Sequence, residues 1–89
     1  MMLDISKSAK SFLEALPGKQ YKQIAERVLG LSVNQDPHDS RHLSGYPGYK
    51  RIDQGEYRIV FYVEGNVIRV PCIGKRNDDE VYRQLGRKG

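Results

Sequence analysis

The strongest constraint on the fold is a long β-hairpin predicted for residues 57–73. Apolar side chains recur at every second position from residue 57 to 63, the spacing that places them on one face of a strand. Gly65-Asn66 follows, a dipeptide suited to a tight turn, and residues 67–73 form a second strand. Pro71 interrupts this strand because it has no N–H to donate, so we expect a bulge or an unpaired position there.

A strand and two amphipathic helices precede the hairpin. Residues 3–5 alternate like a strand, and Ser6 can cap a helix with apolar residues at i, i+3, i+4 and i+7 spacing, which Pro17-Gly18 ends. The same spacing predicts a second helix from about residue 19 to 31. We therefore expect a helical hairpin with one apolar side.

The remaining segments complete an α+β fold in a single domain of residues 1–89. Residues 34–48 have the Gly, Pro and Asp content of a long connection without regular structure. A short strand at about residues 49–53 then joins the hairpin through Gln54-Gly55. A helix from about residue 77 to 86 closes the chain, with Asn77 as its cap, acidic residues behind the cap and basic residues at its far end. The prediction is an N-terminal strand and helical hairpin packed on a small curled antiparallel sheet, with a short C-terminal helix.

Positive charge is concentrated in the second half of the chain. Residues 41–89 contain ten Lys or Arg and six acids, whereas residues 1–40 contain five of each, so the second half carries the whole net charge of +4. This asymmetry indicates a basic surface on the C-terminal elements, suited to an anionic partner such as nucleic acid.

Several classes of protein are excluded. The single Cys72 cannot form an internal disulfide, and one Cys and two His far apart in sequence lack the spacing of a zinc site or a Cys-His nucleophile pair, so we expect no metal and no cofactor. No apolar run approaches membrane-spanning length, and the N-terminus lacks the pattern of a secretory signal. We therefore expect a cytoplasmic protein without a membrane partner.

Two arginines are candidates for binding phosphate. If Gln54-Gly55 forms a two-residue turn, Arg51 lies directly across from Arg58, with Cβ atoms about 5 Å apart. Like charges so placed are destabilising, and a phosphate held by both guanidinium groups would offset that cost. The alternative is a charge-compensated solvent surface, because Asp53 and Glu56 would share the same face. The strand pattern alone slightly favours this alternative.

The end of the last strand adds further candidates. Lys75-Arg76 ends the strand, a helix begins at once, and Tyr82 follows about one and a half turns along it. Val81 and Leu85 would hold the helix to the core, which turns Tyr82 towards the margin of the sheet. The alternative is that Tyr82 is a packing aromatic residue and Lys75-Arg76 a solvated strand end.

Several stretches together resemble the RelE branch of the RelE/ParE toxins. They are Leu43-Ser44-Gly45, Gly48-Tyr49-Lys50-Arg51, residues 55–62, Ile73-Gly74-Lys75-Arg76 and Glu80-Val81-Tyr82. The leading strand and the helical hairpin also fit, so the resemblance covers essentially the whole chain. It implies the toxin of a type II toxin–antitoxin pair, and RelE members are endoribonucleases that cut mRNA in the ribosomal A site. The Gly-Lys-Arg and Glu-Val-Tyr ending resembles the nuclease branch, whereas the Gly-x-Tyr-Arg strand is shared with gyrase inhibitors.

The resemblance assigns catalytic roles to particular residues. Arg58 matches the hairpin arginine, Arg76 the arginine at the end of the last strand and Tyr82 the tyrosine of the closing helix. Lys50 and Arg51 match the basic residues of the first hairpin strand. We expect Arg58 and Arg76 to clamp the phosphate, Tyr82 to stack or assist proton transfer, and Lys50 or Arg51 to hold the 2′-oxygen as it attacks that phosphate.

The surroundings of this site complete the prediction. Lys75, Arg41, His42 and Tyr49 are expected to contact RNA, although His42 also fits a plain surface residue and Tyr49 a cover for the core. Asp53 stands where many relatives have a second basic residue, which lowers the local positive charge.

The expected partners are mRNA on the ribosome and a small cognate antitoxin, with operator DNA bound only through the antitoxin. Two alternatives remain: a ParE-like gyrase inhibitor without nuclease activity and a non-catalytic RNA-binding module.

Overall fold

The computed structural model describes residues 1–76 and 80–86, and the secondary structure follows the predicted order with one additional short strand. The elements are β1 Met2–Ile5, α1 Lys7–Glu14, α2 Gly18–Gly30, β2 Arg41–His42, β3 Lys50–Gln54, β4 Tyr57–Glu64, β5 Val67–Lys75 and α3 Glu80–Gly86. The predicted cap Asn77 and the acidic positions 78 and 79 lie outside the described residues, as do the basic positions 87 and 88.

The five strands form one sheet in the order β1-β5-β4-β3-β2. Strands β2 to β5 are antiparallel, as predicted for the hairpin and the strand before it. Strand β1 runs parallel to β5, with Leu3 opposite Ile68. The sheet is therefore mixed rather than wholly antiparallel. Parallel pairing is possible because the two helices and three further strands lie between β1 and β5 in sequence and supply the long crossover that it needs.

Ser6 and Pro71 join the start of α1 to β5. The Ser6 hydroxyl accepts a hydrogen bond from the backbone N–H of Ala9 at 3.1 Å and donates one to the carbonyl of Pro71 at 2.6 Å. Val60 pairs with Cys72, but Tyr62 pairs with Arg69, so the register shifts by one residue beside Pro71. The predicted helix cap and the predicted bulge are both confirmed.

Two apolar clusters lie on opposite faces of the sheet. The larger cluster lies between the helical hairpin and the sheet. It comprises Ala9, Leu13, Ile24, Val28, Leu31, Ile52, Ile59, Phe61, Ile68, Val70 and Ile73. The smaller cluster lies under α3 and comprises Leu43, Val60, Cys72, Val81 and Leu85. Val81 and Leu85 thus hold α3 to the sheet, as predicted, and Cys72 is a core residue. Arg51 and Arg58 lie on strands β3 and β4 on the face that carries the smaller cluster.

The long connection contains one short strand that the sequence did not predict. Arg41 pairs with Arg51 and His42 with Lys50, which adds the two-residue strand β2 to the edge of the sheet. The prediction of no regular structure in residues 34–48 is wrong at these two positions, because the exposed edge of β3 offers hydrogen-bonding groups that local composition does not reveal. No helix within residues 1–76 and 80–86 has the length and apolar character to cross a membrane.

Candidate active site

The turn between β3 and β4 lies one residue later than predicted. Gln54 pairs with Tyr57, so Gly55 and Glu56 form the turn, and Gly55 has a φ of 59°, a conformation that glycine adopts without strain. Asp53 consequently faces Arg58. The predicted direct pairing of Arg51 with Arg58 is wrong, because Arg51 faces Val60.

Three arginines surround the carboxylate of Asp53. Arg58 donates from Nε to Oδ1 at 2.8 Å and from Nη2 to Oδ2 at 3.3 Å. Arg51 donates from Nη1 to Oδ2 at 3.0 Å, and Nη1 of Arg76 lies 4.0 Å from the same oxygen. We call Arg51, Asp53, Arg58 and Arg76 the arginine cluster. It contains three positive charges and one negative charge, so an attractive contact replaces the repulsion expected from sequence and a positive excess remains.

Burial differs among the members of the arginine cluster. The side chain of Arg58 is only 14% exposed, whereas that of Arg51 is 28% and that of Arg76 46% exposed. Arg58 therefore lies at the base of the cluster and Arg76 at its rim. A phosphate approaching from solvent would meet Arg76 first and reach Arg58 last.

The pKa shifts of Asp53 and Arg58 favour the charged forms of both groups at neutral pH. Partial burial acts to raise the pKa of the Asp53 carboxyl, but the hydrogen bonds and charge of Arg58, with the charges of Arg51 and Arg76, outweigh burial and hold that pKa below its usual value. The hydrogen bonds to Asp53 raise the pKa of Arg58 above its ordinary value despite partial burial. Arg58 therefore stays protonated and does not serve as a proton acceptor.

Acid should weaken the fold through Asp53. Because its pKa is lower in the folded than in the unfolded chain, the carboxylate stabilises the fold above the unfolded pKa near 3.8, and this stabilisation is lost as pH falls through the folded pKa. We expect the free energy of unfolding, measured by urea denaturation between about pH 7 and about pH 2, to fall more steeply in the native protein than in the Asp53→Asn variant. Parallel curves for the two proteins would contradict this expectation.

Tyr82 reaches the arginine cluster from α3. Its hydroxyl accepts a hydrogen bond from Nη1 of Arg58 at 3.3 Å. Its ring packs against the smaller apolar cluster, with its centroid 6.1 Å from that of Tyr46. Tyr82 thus contributes to packing and also brings a hydroxyl group to the base of the arginine cluster.

The ring of Tyr82 begins a row of tyrosines on this face of the sheet. The ring centroids of Tyr46 and Tyr49 are 6.0 Å apart, and those of Tyr49 and Tyr62 are 4.7 Å apart. Burial raises the pKa of the Tyr49 hydroxyl. Tyr62 was not among the predicted site residues, although Arg58 and Tyr62 are four residues apart on β4 and therefore share a face of the sheet.

Lys50 and Lys75 lie on the other face of the sheet from the arginine cluster. Lys50 pairs with Phe61 of the larger apolar cluster, and its Nζ lies 3.0 Å from Oδ1 of Asp36. The hydrogen bond and charge of Lys50 lower the pKa of Asp36. Lys75 pairs with Tyr57, which packs against that same cluster. The structure therefore does not bring these two predicted site residues to the cluster.

The two residues of β2 face opposite sides of the sheet. Arg41 pairs with Arg51 and so faces the same side of the sheet, where its Nη1 donates to the carbonyls of His38 and Ser40. His42 pairs with Lys50 and so faces the other side of the sheet, away from the arginine cluster. It is exposed and lines a shallow depression with Tyr46. The structure therefore brings Arg41, but not His42, to the face of the cluster. Within the described ranges, 1–76 and 80–86, no three His, Cys, Asp or Glu side chains are close enough to hold a metal ion.

The arrangement suits an anion with several oxygens. Guanidinium groups donate in a planar fork that matches phosphate oxygens, and donors fixed before the ligand arrives stabilise negative charge that develops during a reaction. The arginine cluster can therefore bind a phosphate group and stabilise further charge on it, with the Tyr82 hydroxyl beside it.

Comparisons with known proteins identify the fold. Neither protein-family models nor curated protein sequences give a significant match to the chain. Among solved structures, the RelE toxin of Escherichia coli in the free state, in a variant with two arginines replaced by alanine, is similar to this chain. It matches with a TM-score of 0.78 and 22% identity, over 98% of this chain and 95% of that one. The archaeal RelE–RelB complex of Pyrococcus horikoshii matches with a TM-score of 0.73 and 24% identity, over 85% of this chain and 94% of that one.

A third similar structure is named as a YoeB/ParE toxin rather than a RelE toxin. A YoeB/ParE toxin from Agrobacterium tumefaciens matches with a TM-score of 0.74 and 18% identity, over 85% of this chain and 99% of that one. In all three comparisons the match covers at least 85% of this chain and at least 94% of the other. The sequence-based prediction of fold is thereby confirmed, and this chain is RelE-like in fold, sharing its architecture with the RelE toxins.

Proposed function

We propose that this protein is the toxin of a type II toxin–antitoxin pair and a metal-independent endoribonuclease that cuts translated mRNA in the ribosomal A site. The observation that supports the proposal is the convergence of Arg51, Arg58 and Arg76 around one point, with the Tyr82 hydroxyl hydrogen-bonded to Arg58. One phosphate of a bound RNA would occupy this point.

The reaction needs charge stabilisation and proton transfer rather than a new nucleophile. The 2′-oxygen of the RNA bonds to the adjacent phosphorus, the bond from phosphorus to the 5′-oxygen breaks, and a proton leaves the 2′-OH while another reaches the 5′-oxygen. Arg58 and Arg76 would hold the phosphate and stabilise its growing charge. Tyr82 would stack on the nucleotide or assist one of the proton transfers, since its hydroxyl lies beside Arg58.

The basic residue of β3 that serves this site is Arg51 rather than Lys50. Arg51 lies in the arginine cluster, whereas Lys50 lies on the opposite face and contacts Asp36. We expect Arg51→Ala to slow mRNA cleavage about tenfold or more, because a donor aimed at the phosphate is lost. Lys50→Ala should change the rate by less than about threefold, because it removes only an exposed ion pair. Rates are measured on programmed ribosomes, and a larger loss from Lys50→Ala would reverse this assignment.

Expression in bacteria separates this function from its alternatives. The proposal predicts arrest of translation, with new mRNA ends that map to the A site of translating ribosomes. DNA-damage signalling without cut messages would instead indicate a gyrase inhibitor of the ParE type. RNA binding without cleavage on ribosomes would indicate a non-catalytic RNA-binding module.

A small antitoxin is the second expected partner. The RelE proteins of Escherichia coli and Pyrococcus horikoshii have been solved in complex with RelB. For this chain we propose a cognate antitoxin that lays an apolar and acidic segment over the protein, since acidic side chains would complement the positive excess of the arginine cluster. The toxin would act in the cytoplasm, where it meets ribosomes, and would contact operator DNA only through the antitoxin. Co-purification from the native host tests this partner.

A further inference from the structure

The arginine cluster already contains an anion of its own. Every nitrogen of the Arg58 guanidinium donates within the protein: Nε and Nη2 to the two oxygens of Asp53, and Nη1 to the hydroxyl of Tyr82. The two bonds to Asp53 form the fork-shaped contact that a guanidinium group also makes with two oxygens of a phosphate. The innermost cation of the site is therefore engaged by a group that resembles its proposed ligand.

We propose that Asp53 takes the place of the RNA phosphate in the free protein and thereby sets the affinity of the arginine cluster for phosphate. RNA would have to displace the carboxylate from Arg58 before this arginine could bind a phosphate oxygen. This inference rests on the proposed function, because it assigns the ligand of the same site.

The exposure of the cluster permits such an exchange. Asp53 is 24% exposed, so its carboxylate is accessible from solvent without opening the core. Arg76 is 46% exposed, and its Nη1 lies 4.0 Å from Oδ2, longer than a direct hydrogen bond, so Asp53 does not engage it as it engages Arg58. A phosphate would first contact Arg76 and then compete with Asp53 for Arg51 and Arg58.

Two other roles for Asp53 lead to different expectations. If the carboxylate acted as the general base, its oxygens would have to accept a proton, but both already accept hydrogen bonds from guanidinium groups. If it only held the arginines in position, its removal would let them separate and would weaken phosphate binding. Competition predicts the opposite, since removal of the competing charge frees Arg58.

The effect of Asp53→Asn on binding discriminates between competition and positioning. The probe is a short single-stranded RNA with 2′-O-methyl groups, which can bind but cannot undergo attack by the 2′-OH, and its Kd is obtained by NMR titration. Asp53→Asn should bind this RNA about tenfold more tightly than the native protein, because asparagine keeps the size of the side chain but removes its charge.

A matched control separates the effect of removing the Asp53 charge from the effect of removing any negative charge on this face of the sheet. Glu64→Gln also removes one carboxylate from this face of the sheet, where Glu64 accepts a hydrogen bond from Nε of Arg69 at 3.0 Å. It should alter the Kd by less than about threefold, because exposed charges outside the site are largely screened. If Asp53→Asn binds the RNA no more tightly than Glu64→Gln does, the inference is overturned.

The native protein offers a test that does not depend on folding of the variant. Addition of the same RNA should shift the Nε–H resonance of Arg58 and the carboxyl carbon resonance of Asp53, while the Nε–H resonance of Arg69 stays unchanged. RNA that binds without moving the Asp53 and Arg58 signals would overturn the inference, as would the absence of any RNA binding. Displacement of Asp53 in a protein that leaves mRNA intact on ribosomes would support the inference and refute the proposed nuclease function.

Discussion

Replacement of Arg58 by alanine should lower the rate of mRNA cleavage by at least about 100-fold and abolish growth arrest, because a well-aimed donor to a developing negative charge is typically worth two to three orders of magnitude. Arg58 is the least exposed member of the arginine cluster and contacts both Asp53 and Tyr82. In the part of the chain that the structure describes, Arg51 and Arg76 each approach only Oδ2 of Asp53, so neither reproduces the fork that Arg58 makes. The measurement is the single-turnover cleavage rate on programmed ribosomes.

The control for this prediction is Arg69→Ala. Arg69 is also a paired arginine on the same face of the sheet, but its partners are Asp4 and Glu64, and neither belongs to the arginine cluster. Arg69→Ala changes the net charge by the same amount as Arg58→Ala but removes no donor from the arginine cluster. We therefore expect less than about a threefold change in the cleavage rate. Arg58→Lys keeps the charge but loses the planar fork and should recover little of the activity. Arrest of growth by Arg58→Ala as complete as that by the native protein would refute the assignment of the site.

Replacement of Phe61 by alanine should reduce the free energy of unfolding by about 3–5 kcal/mol, because it removes a large buried ring and leaves a cavity. Phe61 has no exposed surface and belongs to the larger apolar cluster. It also lies opposite the bulge beside Pro71. Domains of this size are stable by only about 5–15 kcal/mol, so much of the stability would be lost. Urea denaturation followed by circular dichroism measures the change.

Val63 provides the comparison within the same strand. It lies two residues from Phe61 on the same face, but 45% of it is exposed. Val63→Ala should therefore cost less than about 1 kcal/mol. Equal losses of stability from the two substitutions would show that the larger cluster does not depend on Phe61.

The local elements of the fold were predictable because each depends on residues close together in sequence. Ser6 was predicted to cap α1, and its hydroxyl accepts a hydrogen bond from Ala9. The bulge at Pro71 followed from its missing N–H, and the apolar spacing of α1 and α2 determined which sides are buried. These features arise from backbone chemistry and from side-chain periodicity, which the chain carries wherever it folds.

The register of β3 and β4 was not predictable from the same information. Gly55 could occupy either central position of a two-residue turn, and the choice moves the pairing of the two strands by two residues. A shift of two residues keeps every side chain on its face, so Arg51 and Arg58 still share a face as expected. The shift does change which residue lies across from Arg58, which is Asp53 rather than Arg51.

The sequence by itself determined the helices, the hairpin and the residues that share each face, because periodicity and turn chemistry act over a few residues. Only the tertiary structure decided that β1 pairs with β5, that Lys50 contacts Asp36, and that Asp53 joins three arginines. These arrangements depend on contacts between residues distant in sequence, whose free energies are set by packing and cross-strand register rather than by local preference.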